Sequence, residues 1–389
     1  MPVDTRIRTR TAVAVALLAG LLAGGTAHTA TAAPAVPAAQ LRAAATGPDV
    51  AALERAIAQV PDDDVTAALI RVGGDGSWTG TAGLRSRHTG AAATQDLRFR
   101  AGSTTKVVTA SIVLQLVAEG RVELDAPVTR YLPGLLPASF TEPPTVRHLL
   151  TWTSGLKAGA ALGDTPEEMY AQRFRTLTPQ RVVATAVAKG PAFTPGERQV
   201  YQNIDYTVLG LLIERVTGDR YAHQAEVRVL RPLGMRDTGF PAGPDPVIHG
   251  PHLRAYAEVG GRTVDVTEWN MSDRWAAGDM ISTTADLEKL VRGLFGGRVV
   301  PRPLLDRMLT LPDVEGATHG MGLQRFVHDN GTVIWAKTGS RPGYHTVLAA
   351  ARDANGRLTR TVVYSVTARS ARDDGLGLAS RFALPAFNR

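Results

Sequence analysis

The chain has 389 residues, a net charge of +7 at neutral pH, 44% hydrophobic and 20% charged residues, and no cysteine. That composition is globular, and the length is enough for one large core or two parts sharing one, with no need of a covalent staple. The absence of Cys excludes a disulfide framework, a thiol nucleophile, an iron–sulfur cluster and any cysteine-ligated zinc. Of the 43 basic residues only five are lysine: Lys106, Lys157, Lys189, Lys289 and Lys337.

The N-terminus reads as a signal peptide over residues 1–32. Arg6, Arg8 and Arg10 form a positive leader, Thr11 to Ala27 is uncharged, and Ala30-Thr31-Ala32 offers small residues for cleavage after Ala32. Gly20, Gly24 and Gly25 interrupt an apolar run that falls short of the ~20 residues of a membrane span, so no stable membrane anchor is expected. Removing these 32 residues takes away three Arg and one Asp and leaves +5. No basic run with interleaved aromatics is present, so no nucleic acid partner is expected. The mature chain is expected to be secreted.

Residues 33–47 are rich in Ala and Pro and read as a linker to a domain over 48–389. Val50, Leu53, Ile57 and Val60 recur at helical spacing. Val65–Val72 and Trp78–Leu84 read as strands around a Gly-rich turn. A helix is expected over Thr104–Glu119, with Val107, Val108, Val113, Leu114 and Val117 on its apolar side and Gly120 as its stop. Residues 129–277 are dominated by helical patterns, the clearest being Tyr206–Thr217 before Gly218. A helix at Asp286–Phe295, strands at Thr332–Ala336, His345–Ala351 and Thr361–Val366, and a last helix at Arg372–Leu384 complete the chain. The expected class is α+β: an antiparallel sheet flanked by helices, from 48–128 plus 278–389, with an inserted, mainly helical part over 129–277.

There is no G-x-S-x-G elbow and no H-E-x-x-H, so neither an α/β-hydrolase nor a metal centre is indicated, and no cofactor is expected. Ser103-Thr104-Thr105-Lys106 is the productive signal. If Ser103 begins the helix, Lys106 lies one turn later on the same face, within reach of a hydroxyl that needs a base. The helix N-terminus also offers N–H groups to an oxyanion. A second match, Ser154-Gly155-Leu156-Lys157, leads into a Gly-interrupted stretch, so Ser154 is read as a loop or capping residue. Tyr201-Gln202-Asn203 precedes the 206–217 helix, and Lys337-Thr338-Gly339 follows a strand.

In this order and spacing, S-x-x-K, Y-x-N and K-T-G resemble the three motifs of the penicillin-recognising serine hydrolases. Further stretches are similar too: Arg121–Pro133, Thr145–Thr151, Phe193–Gly196, Pro232–Met235, Ala277–Leu287 and Pro342–Tyr344. The resemblance covers about residues 97–366 and points to secreted serine D-alanyl-D-alanine carboxypeptidases, related to class C β-lactamases and their esterase cousins. It implies that Ser103 is acylated and that Tyr201 acts as base, its phenolate stabilised by Lys106 and Lys337. Asn203 would hold the substrate amide. Lys337 and Thr338 would receive the carboxylate of a peptidoglycan stem peptide or a β-lactam, and the N–H groups of Ser103 and Ser340 would form the oxyanion hole. Two departures stand out: Lys337 replaces the carboxypeptidases' usual His, and the position of their carboxylate-clamping Arg falls on Gln324. Arg325 beside it belongs to the opposite strand face. A class C-type β-lactamase or esterase, and an acylated sensor without turnover, are the alternatives.

Overall fold

The computed structural model describes residues 47–241, 243–368 and 376–388. The expected signal peptide, nearly all of the linker and residues 372–375 of the expected last helix lie outside them. Helix α1 (Val50–Ala58) opens the domain, its first turn capped by the Asp49 carboxylate on Ala52 N–H. Strands β1 (Val65–Gly74) and β2 (Trp78–Gly83) form a hairpin, and β3 (Phe99–Arg100) leads into α2 (Thr105–Ala118). There follow α3 (Val146–Leu150), α4 (Pro166–Ala171), α5 (Pro179–Val187), α6 (Asn203–Thr217) and α7 (Tyr221–Ala225), then a π turn and α8 (Arg231–Leu233). After them come β4 (Tyr256–Val259), β5 (Arg262–Asp265), β6 (Ile281–Ser282), α9 (Thr284–Phe295) and α10 (Arg302–Met308). The chain returns through β7 (Gln324–Val327), β8 (Val333–Arg341), β9 (Tyr344–Arg352) and β10 (Leu358–Ala368) to α11 (Leu376–Phe382).

The main sheet has the order β2-β1-β10-β9-β8-β7 and is antiparallel throughout. Early and late strands meet at β1 and β10, with Val72 opposite Val362, so the two ends of the domain close one sheet around the helical part. Alternation along β1 sorts its side chains between two cores. Ala68, Ile70 and Val72 pack with Leu53, Tyr364, Leu378 and Phe382 beneath α1 and α11. Ala67 and Leu69 face the larger core, which holds α2, α6 and α9.

Helix α2 runs through that larger core. Eleven of its fourteen residues are buried, so it is enclosed all round instead of showing one apolar stripe. Each of Ile112, Val113, Leu114 and Leu116 gains about 1.5–3 kcal/mol from full burial, which fixes the helix carrying the Ser-x-x-Lys pair. Gly120, at φ 68°, ends it as expected.

The strand carrying Lys-Thr-Gly extends to Arg341, beyond the expected Ala336, so the motif lies within β8. The helical part also holds a β4–β5 hairpin that the helical reading of 129–277 passes over. Its turn is Gly260-Gly261, both at positive φ (57° and 71°), a two-residue hairpin signal present in the sequence.

Candidate active site

Ser103 sits in a 3₁₀ turn, Gly102–Thr104, at the entrance to α2. Two glycines allow that turn to lie against β8. A Cβ on Gly102, itself at φ 55°, would come within 2.6 Å of Ser340 N, and one on Gly339 within 2.1 Å of Ala101 O. Both approaches are shorter than any side chain permits, so the backbones of Ser103 and Ser340 stand side by side, as an oxyanion hole requires.

Lys106 is fully buried one turn into the helix. Its Nζ is 3.0 Å from Ser103 Oγ, 2.7 Å from Asn203 Oδ1 and 2.6 Å from the Ala277 carbonyl oxygen. Burial holds its pKa well below the usual lysine range, and the charges of Lys337 and Arg274 push it the same way. A neutral amine has two N–H donors and one lone pair. As an ammonium Lys106 donates to Ser103, Asn203 and Ala277; once deprotonated it keeps two N–H donors for Asn203 and Ala277, and its lone pair faces the Ser103 proton.

Tyr201 stands between the two lysines, where the sequence reading puts it. Lys106 Nζ lies 5.0 Å and Lys337 Nζ 4.8 Å from its ring centroid. Burial nevertheless raises the phenol pKa above its ordinary value, with the Ser103 hydrogen bond pulling the other way. The residue is 38% exposed, so water softens the rise without reversing it. Phenolate with ammonium and phenol with amine differ by one proton passed between Tyr201 and Lys106. Burial acts on both groups in the direction of phenol with amine.

Asn203 opens α6 and turns Oδ1 to Lys106, leaving its Nδ2 as the donor toward the cleft. On β8, Thr338 and Ser340 are exposed to the cleft, whereas Lys337, Gly339 and Arg341 face inward. Lys337 is 3% exposed, donates to the Thr338 carbonyl oxygen at 2.8 Å, and is pushed down to about 7 by burial. Ser103, Asn203, Thr338, Gly339 and Ser340 line one cleft, which continues along β8 and on beneath α11 to Ala383 and Phe387, about 960 Å³ in all. Gln324 lines it too, while Arg325 is exposed on the other strand face, as strand alternation implies.

The second Ser-x-x-Lys takes no part in this arrangement. Ser154 Oγ donates to Asp205 Oδ1 at 2.5 Å and accepts from Leu156 N–H, while Lys157 reaches the Lys189 carbonyl on the surface. Sequence reasoning missed Trp152, His319, Asp205 and Arg274. Trp152, at φ 57°, stacks 4.9 Å from Tyr201 and donates Nε1–H to the Gln202 carbonyl, so it props the Tyr201 loop. His319 packs edge-on against Trp152, and burial together with Lys337 pushes it down to about 4, so it is neutral. Asp205 is wholly buried near Lys106, and burial raises its pKa. The signal for two of these was adjacent: the recognised Thr145–Thr151 stretch stops one residue before Trp152, and Ala277–Leu287 begins three after Arg274.

Among the described residues no three His, Asp or Glu side chains are grouped to hold a metal ion. None of the described helices is long and apolar enough to cross a membrane.

The chain is similar to the esterase EstB of Burkholderia gladioli, 38% identical over 41% of this chain and 42% of that protein. It is also similar to the D-alanyl-D-alanine-carboxypeptidase/endopeptidase AmpH of Escherichia coli, 27% identical over 39% of this chain and 38% of that protein. These matches span half or less of either curated relative. The solved structure of a D-stereospecific amidohydrolase from Streptomyces sp. superimposes with a TM-score of 0.73, at 32% identity, over 86% of this chain and 99% of that one. The beta-lactamase family model matches residues 53–381, nearly the whole folded unit, and the protein therefore belongs to the β-lactamase family of serine hydrolases.

Proposed function

We propose that the protein is an exported D-alanyl-D-alanine carboxypeptidase that trims peptidoglycan stem peptides through an acyl-enzyme. The convergence of Ser103, Lys106 and Asn203 with the Lys337-Thr338 strand at one cleft carries this reading. Ser103 Oγ attacks the penultimate carbonyl as its proton passes to Lys106. The oxyanion gathers on the N–H groups of Ser103 and Ser340. Tyr201, kept protonated, gives its proton to the departing amine and regains one from Lys106, so D-alanine leaves and Ser103 is left as an ester. Water, giving up a proton to the same pair, then hydrolyses that ester. Asn203 Nδ2 holds the substrate amide. Thr338 and cationic Lys337 hold the terminal carboxylate, and the likeness to AmpH supports a substrate of this kind.

The test is intact-mass tracking of the purified protein with penicillin and with a D-Ala-D-Ala peptide, beside Ser103→Ala. Acylation of the wild type alone, with release of D-alanine, is expected. A Ser103→Ala protein that still acylates, or a wild type releasing no D-alanine, overturns the assignment. Secretion is tested on the exported protein, whose first residue should be Ala33.

One observation favours a second reading, an esterase or amidase on the same scaffold. Gln324, a neutral group, faces the cleft where the carboxypeptidases place Arg, and EstB and the Streptomyces amidohydrolase are relatives. Faster turnover of a short acyl ester than of the D-Ala-D-Ala peptide would select it. Rapid release of hydrolysed penicillin would mark a β-lactamase, and a stable adduct with every substrate a sensor.

A further inference from the structure

Strand β8 gives the cleft a direction. Gln324, paired with Ala336, marks one end together with Lys337, and Arg341 with its partner Asp273 marks the other. The Ser103 turn packs at Gly339 between them. Tyr201 stands on the Gln324 side, beside Lys337 and His319, and His319 bridges to Gln324. A carbonyl held at Ser103 therefore points its leaving group toward Tyr201 and its acyl half toward Arg274.

At that acyl end the charges do not balance. The buried Asp273 carboxylate is gripped by both Arg341 Nη atoms, at 3.0 and 3.3 Å. Arg274 reaches the same carboxylate with Nη1 at 3.3 Å, and that atom also donates to the Asp273 carbonyl oxygen. One carboxylate thus faces two guanidiniums, leaving one positive charge uncompensated. Arg274 forms part of the cleft wall with Ser103, Gly278 and Ser340, and its side chain is 26% open. Its Nε and Nη2 meet no acceptor among the described residues. The buried acid nearby offsets only part of that charge: burial raises Asp279 to about 7, so it carries about half a charge at neutral pH. Glu258, also on the cleft wall, is exposed on β4, where water and salt screen its charge.

We propose that Arg274 determines acyl-group specificity: it selects substrates whose acyl half carries a carboxylate and disfavours those carrying a free ammonium. The rest of such an acyl group packs on the adjoining wall of Met169, Tyr170, Ala257, Val266 and Trp269. A guanidinium with two free donors suits a planar carboxylate. The same charge repels the α-ammonium of an unblocked D-aminoacyl substrate, one carbon from the scissile carbonyl. This inference rests on the acyl-enzyme reading above.

Three penicillins separate the inference from that reading, because they differ only at the α-carbon of the phenylacetyl side chain. Carbenicillin carries a carboxylate there, benzylpenicillin a hydrogen and ampicillin an ammonium, while the ring carboxylate at the leaving end is common to all. The readout is the second-order rate of Ser103 acylation, by intact mass at pH 7 and low salt. The expected order is carbenicillin, benzylpenicillin, ampicillin, spanning about tenfold, equivalent to one charge pair at a half-buried site. Arg274→Gln should collapse the spread to within twofold, Arg274→Glu should invert it, and Arg274→Lys should keep the order with a narrower spread. Each ratio is internal to one protein, so a poorly folding variant does not blur it. Equal wild-type rates, or an order that survives Arg274→Gln, overturn the role of Arg274 and leave the acyl-enzyme standing. Failure of all three to acylate removes the acyl-enzyme and this inference with it.

Discussion

Replacing Lys337 with methionine should stabilise the protein while weakening its hold on carboxylate substrates. Lys337 is 3% exposed, and its pKa falls from 10.5 to about 7 because burial penalises the ammonium. Below pH 7 the folded and unfolded chains both bind the proton, and the full penalty for a buried charge is present. Between about 7 and 10.5 the unfolded chain binds more protons than the folded one, so stability rises with pH. Above 10.5 neither binds it and the penalty is gone. At ~1.4 kcal/mol per pKa unit the difference is about 5 kcal/mol. Methionine has a similar length and no charge. It gives up the N–H donated to the Thr338 carbonyl, a loss of about 1 kcal/mol, and repacking takes a similar share. The expected net gain at pH 6 is about 2–4 kcal/mol, a Tm higher by roughly 4–8 °C. Thermal unfolding of both proteins at pH 6, 8 and 10 measures it. A Lys337→Met protein no more stable than wild type at pH 6 would refute the reasoning, as would an advantage that does not shrink toward pH 10.

Other outcomes follow from the same site. Lys106→Arg should slow acylation of Ser103 by about 10²–10⁴, since a guanidinium keeps its proton, and intact-mass kinetics will show it. For a D-Ala-D-Ala peptide, KM should rise as pH passes upward through about 7 and Lys337 loses its charge, while an uncharged ester should show no such rise. Gly339→Ala forces a Cβ to within 2.1 Å of Ala101 O, so it should destabilise by about 1–3 kcal/mol and lower kcat by separating Ser103 from Ser340. Gln324→Arg should lower KM for carboxylate-ended substrates, whereas Arg325→Gln, on the exposed face, should leave kinetics unchanged.

The sequence was most legible where chemistry and local geometry coincide. Ser103 and Lys106 are one turn apart on a helix that Gly120 stops, and the turn-helix geometry alone brings Nζ to 3.0 Å from Oγ. The order of strands was harder to read, because β1 meets β10 across some 300 residues and nothing local encodes that pairing. The Gly260-Gly261 hairpin was visible in principle, yet short strands between helices give too few alternating residues to stand out. Trp152 and His319 escaped because their role is contact: one props the Tyr201 loop and the other faces Lys337, and neither type at that spacing implies chemistry. Two flanking lysines suggest a stabilised phenolate, but the same enclosure depresses those lysines and raises the phenol.

That last point explains the distribution of lysine in an arginine-rich chain. Lys157, Lys189 and Lys289 lie partly or fully exposed and donate to backbone carbonyls, a task arginine could share. Where a cation must stay charged inside the protein, the chain uses arginine. Arg100 is 1% exposed, donates to the Thr267 and Pro246 carbonyls, and even with burial pulling it down to about 10 it keeps its proton at neutral pH. Arg341 likewise holds Asp273 as a fixed pair. Where a proton must move, enclosure of the same degree acts on an amine whose ordinary pKa is two units lower, and brings it into the working range. Lys106 is that position; Lys337, on the other side of Tyr201, is brought near neutral by the same enclosure and serves as a charge toward the substrate carboxylate. An arginine at position 106 would be a permanent charge against the phenol, pulling it toward phenolate while leaving Ser103 with no neutral amine to take its proton. The cleft therefore depends on lysine at position 106, and on arginine at the fixed charge of Arg274 beyond it.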